Sequence, residues 1–278
     1  MSPVIPSYKT LVNPMVFHQL PLEDALAKFC GAGFHDLELW PPQIKMASTP
    51  ALRRRLTEYL TSIEMRAVRL NCADRDYFKV WPSDFSYQTA LDGLRRDIDM
   101  ARDLGMSQVL TWEARPPDSL TREDKYGQLL DAAAGLFQQA LDHARQAGIS
   151  LSLEIHPFTV GIDLDWTIAL CDRMDAEDFG VTYDCCHFGV GLPGGYIDAI
   201  QKLGPRVKHL HFSDSDGTTS EVHYAPTTGN LDLIGIVRTL REINFDGTVM
   251  LDLWLDPLPE QGMELGMEFL RKHLPKLT

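Results

Sequence analysis

The sequence predicts an α/β fold, a closed (β/α)8 TIM barrel in a single domain spanning residues 1–278. Three observations carry this. Short apolar strands alternate with amphipathic helical stretches along the whole chain, and such alternation implies a parallel sheet. The alternation runs to eight units, the number a barrel of roughly 250 residues needs. Glycines also punctuate the helix ends, with "GAG" after the first helix, "DLG" after the third and "QAG" after the fourth. An open doubly wound sheet would instead want a glycine-rich phosphate loop after its first strand. "FHQLPLED" at 17–24 is no such loop.

In chain order, "PMVFH" (14–18) is the first expected strand, followed by a helix over 22–31. "HDLELW" (35–40) leads to a helix over 50–64, and "AVRLN" (67–71) to one over 87–104. "QVLTW" (108–112) precedes the longest helical stretch, 122–147. "LSLEIH" (151–156) is followed by 165–174, "GVTYD" (180–184) by 195–203, "VKHLHF" (207–212) by 231–243, and "VMLDLW" (249–254) by 262–274. Most strands are rich in Val, Leu and Ile, as strands covered on both faces must be. The fifth is an exception: it carries Glu154 and His156 on one face near its C-terminal end.

Composition narrows the function classes. An apolar content of 44% with 23% charged residues is that of an ordinary globular protein, long enough to bury a core without staples. The formal net charge of −13 disfavours nucleic acid and anionic membranes as partners, since both require a basic face. Five cysteines, an odd number without framework spacing, favour a reducing, cytoplasmic setting. No basic-then-apolar leader opens the chain, so no signal peptide is expected. Nothing in the sequence argues against a homo-oligomer.

In such a barrel the chemistry gathers at the C-terminal ends of the strands. The polar and aromatic residues there are Glu38 and Trp40, Asn71, Trp112 and Glu113, Glu154 and His156, Asp184 with His187 just beyond, His209, His211 and Asp214, and finally Asp252 and Trp254. Strand parity sorts them. If Leu151, Leu153 and Ile155 face the helices, Glu154 faces the axis. The same alternation turns Asp184 inward opposite Val181 and Tyr183, His211 opposite Leu210 and Phe212, and Asp252 opposite Val249, Leu251 and Leu253. Four consecutive strands thus aim Glu154, Asp184, His211 and Asp252 at one point. Three carboxylates that close repel strongly unless a cation joins them. By donor type the set suits one divalent metal ion, Mn2+ first, with Mg2+, Co2+ or Zn2+ also compatible.

These residues lie in motifs that resemble the xylose isomerase-like TIM-barrel superfamily of sugar isomerases and epimerases, inosose dehydratases and endonuclease IV. The resemblance rests on "GFHDLELW", "LSLEIHP", "VTYDCCHF", "VKHLHFSD" and the long stretch from "VHYAPTTGN" to "VMLDLW", and it spans nearly the whole chain. It implies Glu154, Asp184, His211 and Asp252 as metal ligands, with Glu154, Asp252 and His187 as the catalytic groups. It sets His156 and His187 beside the metal against substrate oxygens and brings His223 over the site from the loop after strand seven. Asn71, Trp112 and Glu38 join His156 and His223 as expected substrate contacts.

The implied reaction is proton abstraction next to the carbonyl of a small keto-sugar or polyol, with a metal-stabilised enediolate. Its outcome is isomerisation or epimerisation. The alternatives are a lyase or dehydratase of the same fold, including β-elimination from a 3-oxo-glycoside, and a metal- or sugar-binding subunit without turnover. Three departures separate this chain from the ketose 3-epimerases of the superfamily. Asp252 stands where they carry Glu. Val160 stands where they carry an acid six positions past the strand-five Glu. The arginine expected after strand seven is missing from "SDSDGTTSE". The endonuclease branch is disfavoured by net charge and by the lack of histidine at the ends of strands three and four.

Overall fold

A computed structural model describes residues 10–40, 48–72, 78, 80–113 and 115–274. Eight parallel strands close in sequence order: β1 (Thr10–Val12), β2 (Asp36–Leu39), β3 (Arg66–Asn71), β4 (Gln108–Thr111), β5 (Ser150–Glu154), β6 (Phe179–Asp184), β7 (Val207–Phe212) and β8 (Thr248–Leu251). The seam closes between β8 and β1, where Thr10 lies opposite Val249 and Val12 opposite Leu251.

The helices around it are α1 (Leu22–Ala32), α2 (Pro50–Ser62), α3 (Tyr87–Asp103), α4 (Leu130–Gln146), α5 (Leu164–Met174), α6 (Cys185–Gly191), α7 (Tyr196–Leu203), α8 (Leu233–Glu242) and α9 (Pro259–His273). Local chemistry sets their ends. Thr49 caps α2 by accepting from the Leu52 amide, with Pro50 in the first turn where its missing N–H costs nothing. Asp232 caps α8 through the Gly235 amide at 2.8 Å. A Cβ at Gly235 would lie 2.4 Å from that carboxylate, so glycine is required there. Gly33, at φ 89°, ends α1 in the left-handed region.

Two expectations are corrected. The first strand is Thr10–Val12, and "PMVFH" is not a strand but forms a 3-10 helix over Pro14–Phe17. Proline cannot donate to a sheet ladder, and the Asn13 side chain accepts from the Met15 amide at 2.9 Å, starting a helical turn. The apolar residues of that run are explained by packing, Phe17 against Phe29 at 5.5 Å. The expected helix over 122–147 is interrupted by a π-helical segment, Lys125–Leu129, before α4 begins.

Strand parity holds. Leu151, Leu153, Ile155, Val181, Tyr183, Leu210, Phe212, Val249, Leu251 and Leu253 all lie in the layer between strands and helices. Inside the barrel the floor is polar. Fully buried Arg69 donates to Gln108 Oε1 (3.0 Å), Ser152 Oγ (3.2 Å) and Thr182 Oγ1 (3.1 Å). Beside it the His209 ring meets Thr248 Oγ1 at 2.6 Å. This layer supports the residues above it from below. No helix among the described residues is long and apolar enough to cross a membrane.

Candidate active site

Residues from β5, β6, β7 and the end of β8 converge at the C-terminal mouth. His211 Nδ1 is the hub: Glu154 Oε1 lies 2.6 Å from it, Asp184 Oδ2 3.4 Å and Asp252 Oδ2 3.8 Å. Donors about 2.1 Å from a shared ion stand roughly 3 to 3.4 Å apart, so the cluster has the dimensions of a coordination sphere. All four residues are buried, and Asp184 Oδ2 and His211 Nδ1 meet no hydrogen-bond partner of good geometry. Buried polar atoms are normally satisfied. Buried ligand atoms that face one another at these distances without hydrogen-bond partners fit a divalent metal.

The sequence reading sets His223 over the site, and the structure brings it there as a further donor. Its Nδ1 lies 2.9 Å from Asp252 Oδ2 and 3.8 Å from Asp184 Oδ2, again with no good hydrogen bond. The donors of Asp184, His223 and Asp252 form one close triad and those of Glu154, Asp184 and His211 another, with Asp184 common to both. The loop carrying His223 is fastened from two sides. The Asp214 carboxylate accepts from the amides of Ser215 (2.8 Å), Thr227 (3.1 Å) and Leu231 (3.0 Å). The His223 amide donates to Trp254 O at 2.9 Å.

His156 and His187 line the other side. The His156 ring stacks on Trp112 (centroids 4.1 Å, 22°) and lies 4.0 Å from the His187 ring. Its Nε2 is 3.4 Å from Glu154 Oε2. Burial, only partly opposed by Asp184, pushes the His187 imidazole down to about 3. His187 sits on α6, a helix absent from the sequence expectation. Asp184 both reaches the cluster through Oδ2 and caps α6, its Oδ1 accepting from the His187 amide at 2.8 Å.

Glu38 and Asn71, further expected substrate contacts, are hydrogen-bonded to each other. Glu38 Oε2 lies 3.2 Å from His211 Nε2 and 3.3 Å from His209 Nε2, and Oε1 accepts from Asn71 Nδ2 at 3.1 Å. Both carboxylate oxygens are therefore occupied by protein, and Glu38 lies behind His211. Burial alone would raise this carboxyl, but the two imidazoles hold it below the usual carboxylate range. Asn71 is wholly buried and retains one unpartnered oxygen, Oδ1.

Sequence reasoning placed Glu113 at a strand end without giving it a role. It is fully buried and accepts from the Gly161 amide at 2.8 Å. A Cβ at Gly161 would come within 2.6 Å of that oxygen. The contact ties β4 to the loop after β5, the segment that carries His156.

A family model described as xylose isomerase-like TIM barrel matches residues 25–273. The chain is 23% identical to a fructoselysine 3-epimerase of Shigella flexneri over 253 residues, 85% of this chain and 87% of that one. It is 26% identical to an uncharacterised protein of Methanocaldococcus jannaschii over 129 residues, 45% of this chain and only 44% of the relative. Among solved structures, IolI protein with a bound zinc atom superposes with a TM-score of 0.79 at 17% identity, covering 97% of this chain and 99% of that one.

Proposed function

The chain belongs to the xylose isomerase-like TIM-barrel family, and we propose that it is a divalent-metal-dependent enzyme that abstracts a proton next to the carbonyl of a small keto-sugar or polyol. The observation that carries this is the convergence of Glu154, Asp184, His211 and Asp252 on one point with orphaned, buried donor atoms. These four residues would hold the ion, and by donor type Mn2+, Mg2+, Co2+ and Zn2+ all suit them. When bound, the ion supplies positive charge against the oxyanion of an enediolate. The zinc of IolI and the sugar substrate named for the Shigella flexneri relative support the same class.

The protein's own groups supply the proton transfers. Two carboxylate–imidazole pairs flank the cluster, Glu154 with His156 and Asp252 with His223. One carboxylate takes the proton, and the opposite pair returns one to the other face or a neighbouring carbon. General acid–base groups placed this way contribute about 10^2–10^4-fold each. His187, buried and neutral, offers a ring nitrogen without a partner, Nδ1, to a substrate hydroxyl. Trp112 stiffens His156 by stacking. Glu38 orients His211 and does not touch substrate. Five free thiols support a reducing, cytoplasmic compartment.

A specific observation favours a second outcome of the same chemistry. Asp252 is one methylene shorter than Glu, and Val160 brings no acid, so a second carbon base for epimerisation is weakly supplied. Loss of the β-hydroxyl or of a glycosidic oxygen from the enolate then competes. One experiment separates these readings: incubation of metal-loaded protein with keto-sugars and inososes in D2O, followed by NMR. Deuterium at the carbon next to the carbonyl with an inverted centre marks the epimerase, and an enone that has lost that hydrogen, with or without exchange into remaining substrate, marks the lyase. Neither exchange nor a new product with any substrate would leave a binding subunit.

A further inference from the structure

The metal cluster and its histidines account for one end of a bound sugar. The aromatic rings above them are still unexplained. Trp254 follows Asp252 by two residues, and its amide donates to Asp252 Oδ1 at 3.0 Å, which fixes the ring beside the cluster. The ring lies between Trp40 (centroids 5.7 Å) and the exposed ring of His18 (5.5 Å). The three rings, tilted 40° (Trp40–Trp254) and 60° (Trp254–His18) to one another and none of them fully buried, form a stepped ledge next to Asp252. The indole N–H of Trp40 is buried and meets no acceptor, although such groups normally find one.

The ledge opens onto a groove of about 770 Å3 between the loops after β1 and β8, with His18 in its wall. Leu20 (38% exposed), Leu255 (43%) and Leu258 (62%) display apolar surface there. Leu255 is held at φ 58°, a left-handed conformation that costs a branched residue free energy and that clusters at ligand sites. The groove's carboxylates contact the protein: Asp256 accepts from the amides of Ala225 and Leu258, each at 2.7 Å, and Glu260 pairs with Lys28.

We propose that the substrate is a sugar carrying an apolar, aromatic substituent, a keto-glycoside of an aryl aglycone, whose ring lies on the Trp40–Trp254–His18 ledge and extends towards Leu255 and Leu258. This rests on the keto-sugar reading of the metal site and adds the class of the attached group. Indole faces bind planar apolar groups by offset stacking while burying their area.

The test compares binding of phenyl and methyl glycosides of a panel of common hexoses and their 3-oxo forms. Tryptophan fluorescence and saturation-transfer NMR read binding without turnover. The phenyl compound of at least one pair is expected to bind about tenfold tighter, the effect of one stacked ring, with saturation strongest at the aryl protons. The phenyl-to-methyl ratio is expected to fall towards one in Trp254→Ala and to drop several-fold in Leu258→Asp, an exposed change that leaves the core untouched. Equal affinities throughout, no phenyl glycoside bound at millimolar concentration, or a ratio unmoved in both variants would overturn the proposal. Metal content and deuterium exchange on the same preparations separate the two readings. Exchange of a free keto-sugar without aryl preference removes the ledge alone. Aryl preference without bound metal keeps the ledge and removes the metal chemistry.

Discussion

Glu38 and His211 meet inside the barrel, with Glu38 Oε2 3.2 Å from His211 Nε2 while the other ring nitrogen faces Glu154 Oε1 at 2.6 Å. One imidazole thus joins a buried carboxylate to the cluster of Glu154, Asp184 and Asp252. A carboxylate behind a ligating histidine fixes its tautomer and raises its basicity. In Glu38→Gln one acceptor oxygen becomes a donor, which then faces either the Asn71 amide or an imidazole nitrogen. Metal affinity is expected to fall about 10- to 100-fold, the usual effect of losing such a support. Chelator competition measures it, and unchanged affinity would remove Glu38 from the metal's support.

Asp184 has two tasks on two oxygens, Oδ2 toward the cluster and Oδ1 on the His187 amide. Asn and Ala separate them. Asn is as good an N-cap as Asp but a poor ligand for a hard cation. Asp184→Asn should lose bound metal by elemental mass spectrometry yet keep α6. Asp184→Ala should lose the metal and also about 1 kcal/mol of stability from the missing cap. Denaturant titration of both in chelator reads the difference. Equal stabilities would mean that the cap contributes nothing, and metal retained in both would refute the ligand assignment.

Asp252 lies 2.9 Å from His223 Nδ1, so the imidazole occupies space that a longer side chain would fill. Asp252→Asn cannot accept a proton and, like Asp184→Asn, weakens the cation site. With metal supplied in excess and occupancy verified, deuterium exchange is expected to fall at least about 100-fold, within the range for a general base. Loss of exchange and metal together would make Asp252 a ligand only.

The cluster was legible in the sequence because strand parity is local. A period of two on a parallel strand turns Glu154 inward whenever Leu151, Leu153 and Ile155 face the helices. The same period misassigned "PMVFH", where Pro14 and the Asn13 cap override an apolar run. Other features depend on partners far apart in the chain. Arg69 reads as an ordinary strand residue until Ser152 and Thr182, 83 and 113 residues away, are seen to accept from it. His18 and Trp254 come from opposite ends of the sequence, so no window on the chain shows the ledge. Glu38 shows the same limit. Its inward direction was readable, but which imidazole lay in front of it was not.

Glu113 yields a stability prediction independent of the metal. One of its oxygens accepts from the Gly161 amide at 2.8 Å, and the whole side chain is buried. Burial raises the carboxyl above its ordinary value, against the pull of its hydrogen bonds. A raised folded-state pKa means that the native protein holds this proton after the unfolded chain has released it. Stability from this group therefore falls as pH rises from the unfolded value, about 4.3, through the folded one. Glu113→Gln has nearly the same shape, still accepts from Gly161 and carries no charge. It should melt above wild type at pH 8, by about 2–4 °C for each kcal/mol of relieved burial. The gap should close toward pH 4, where both side chains are neutral. Melting curves that stay parallel across that range would show that Glu113 carries no raised carboxyl and that its contact with the loop after β5 is a plain hydrogen bond.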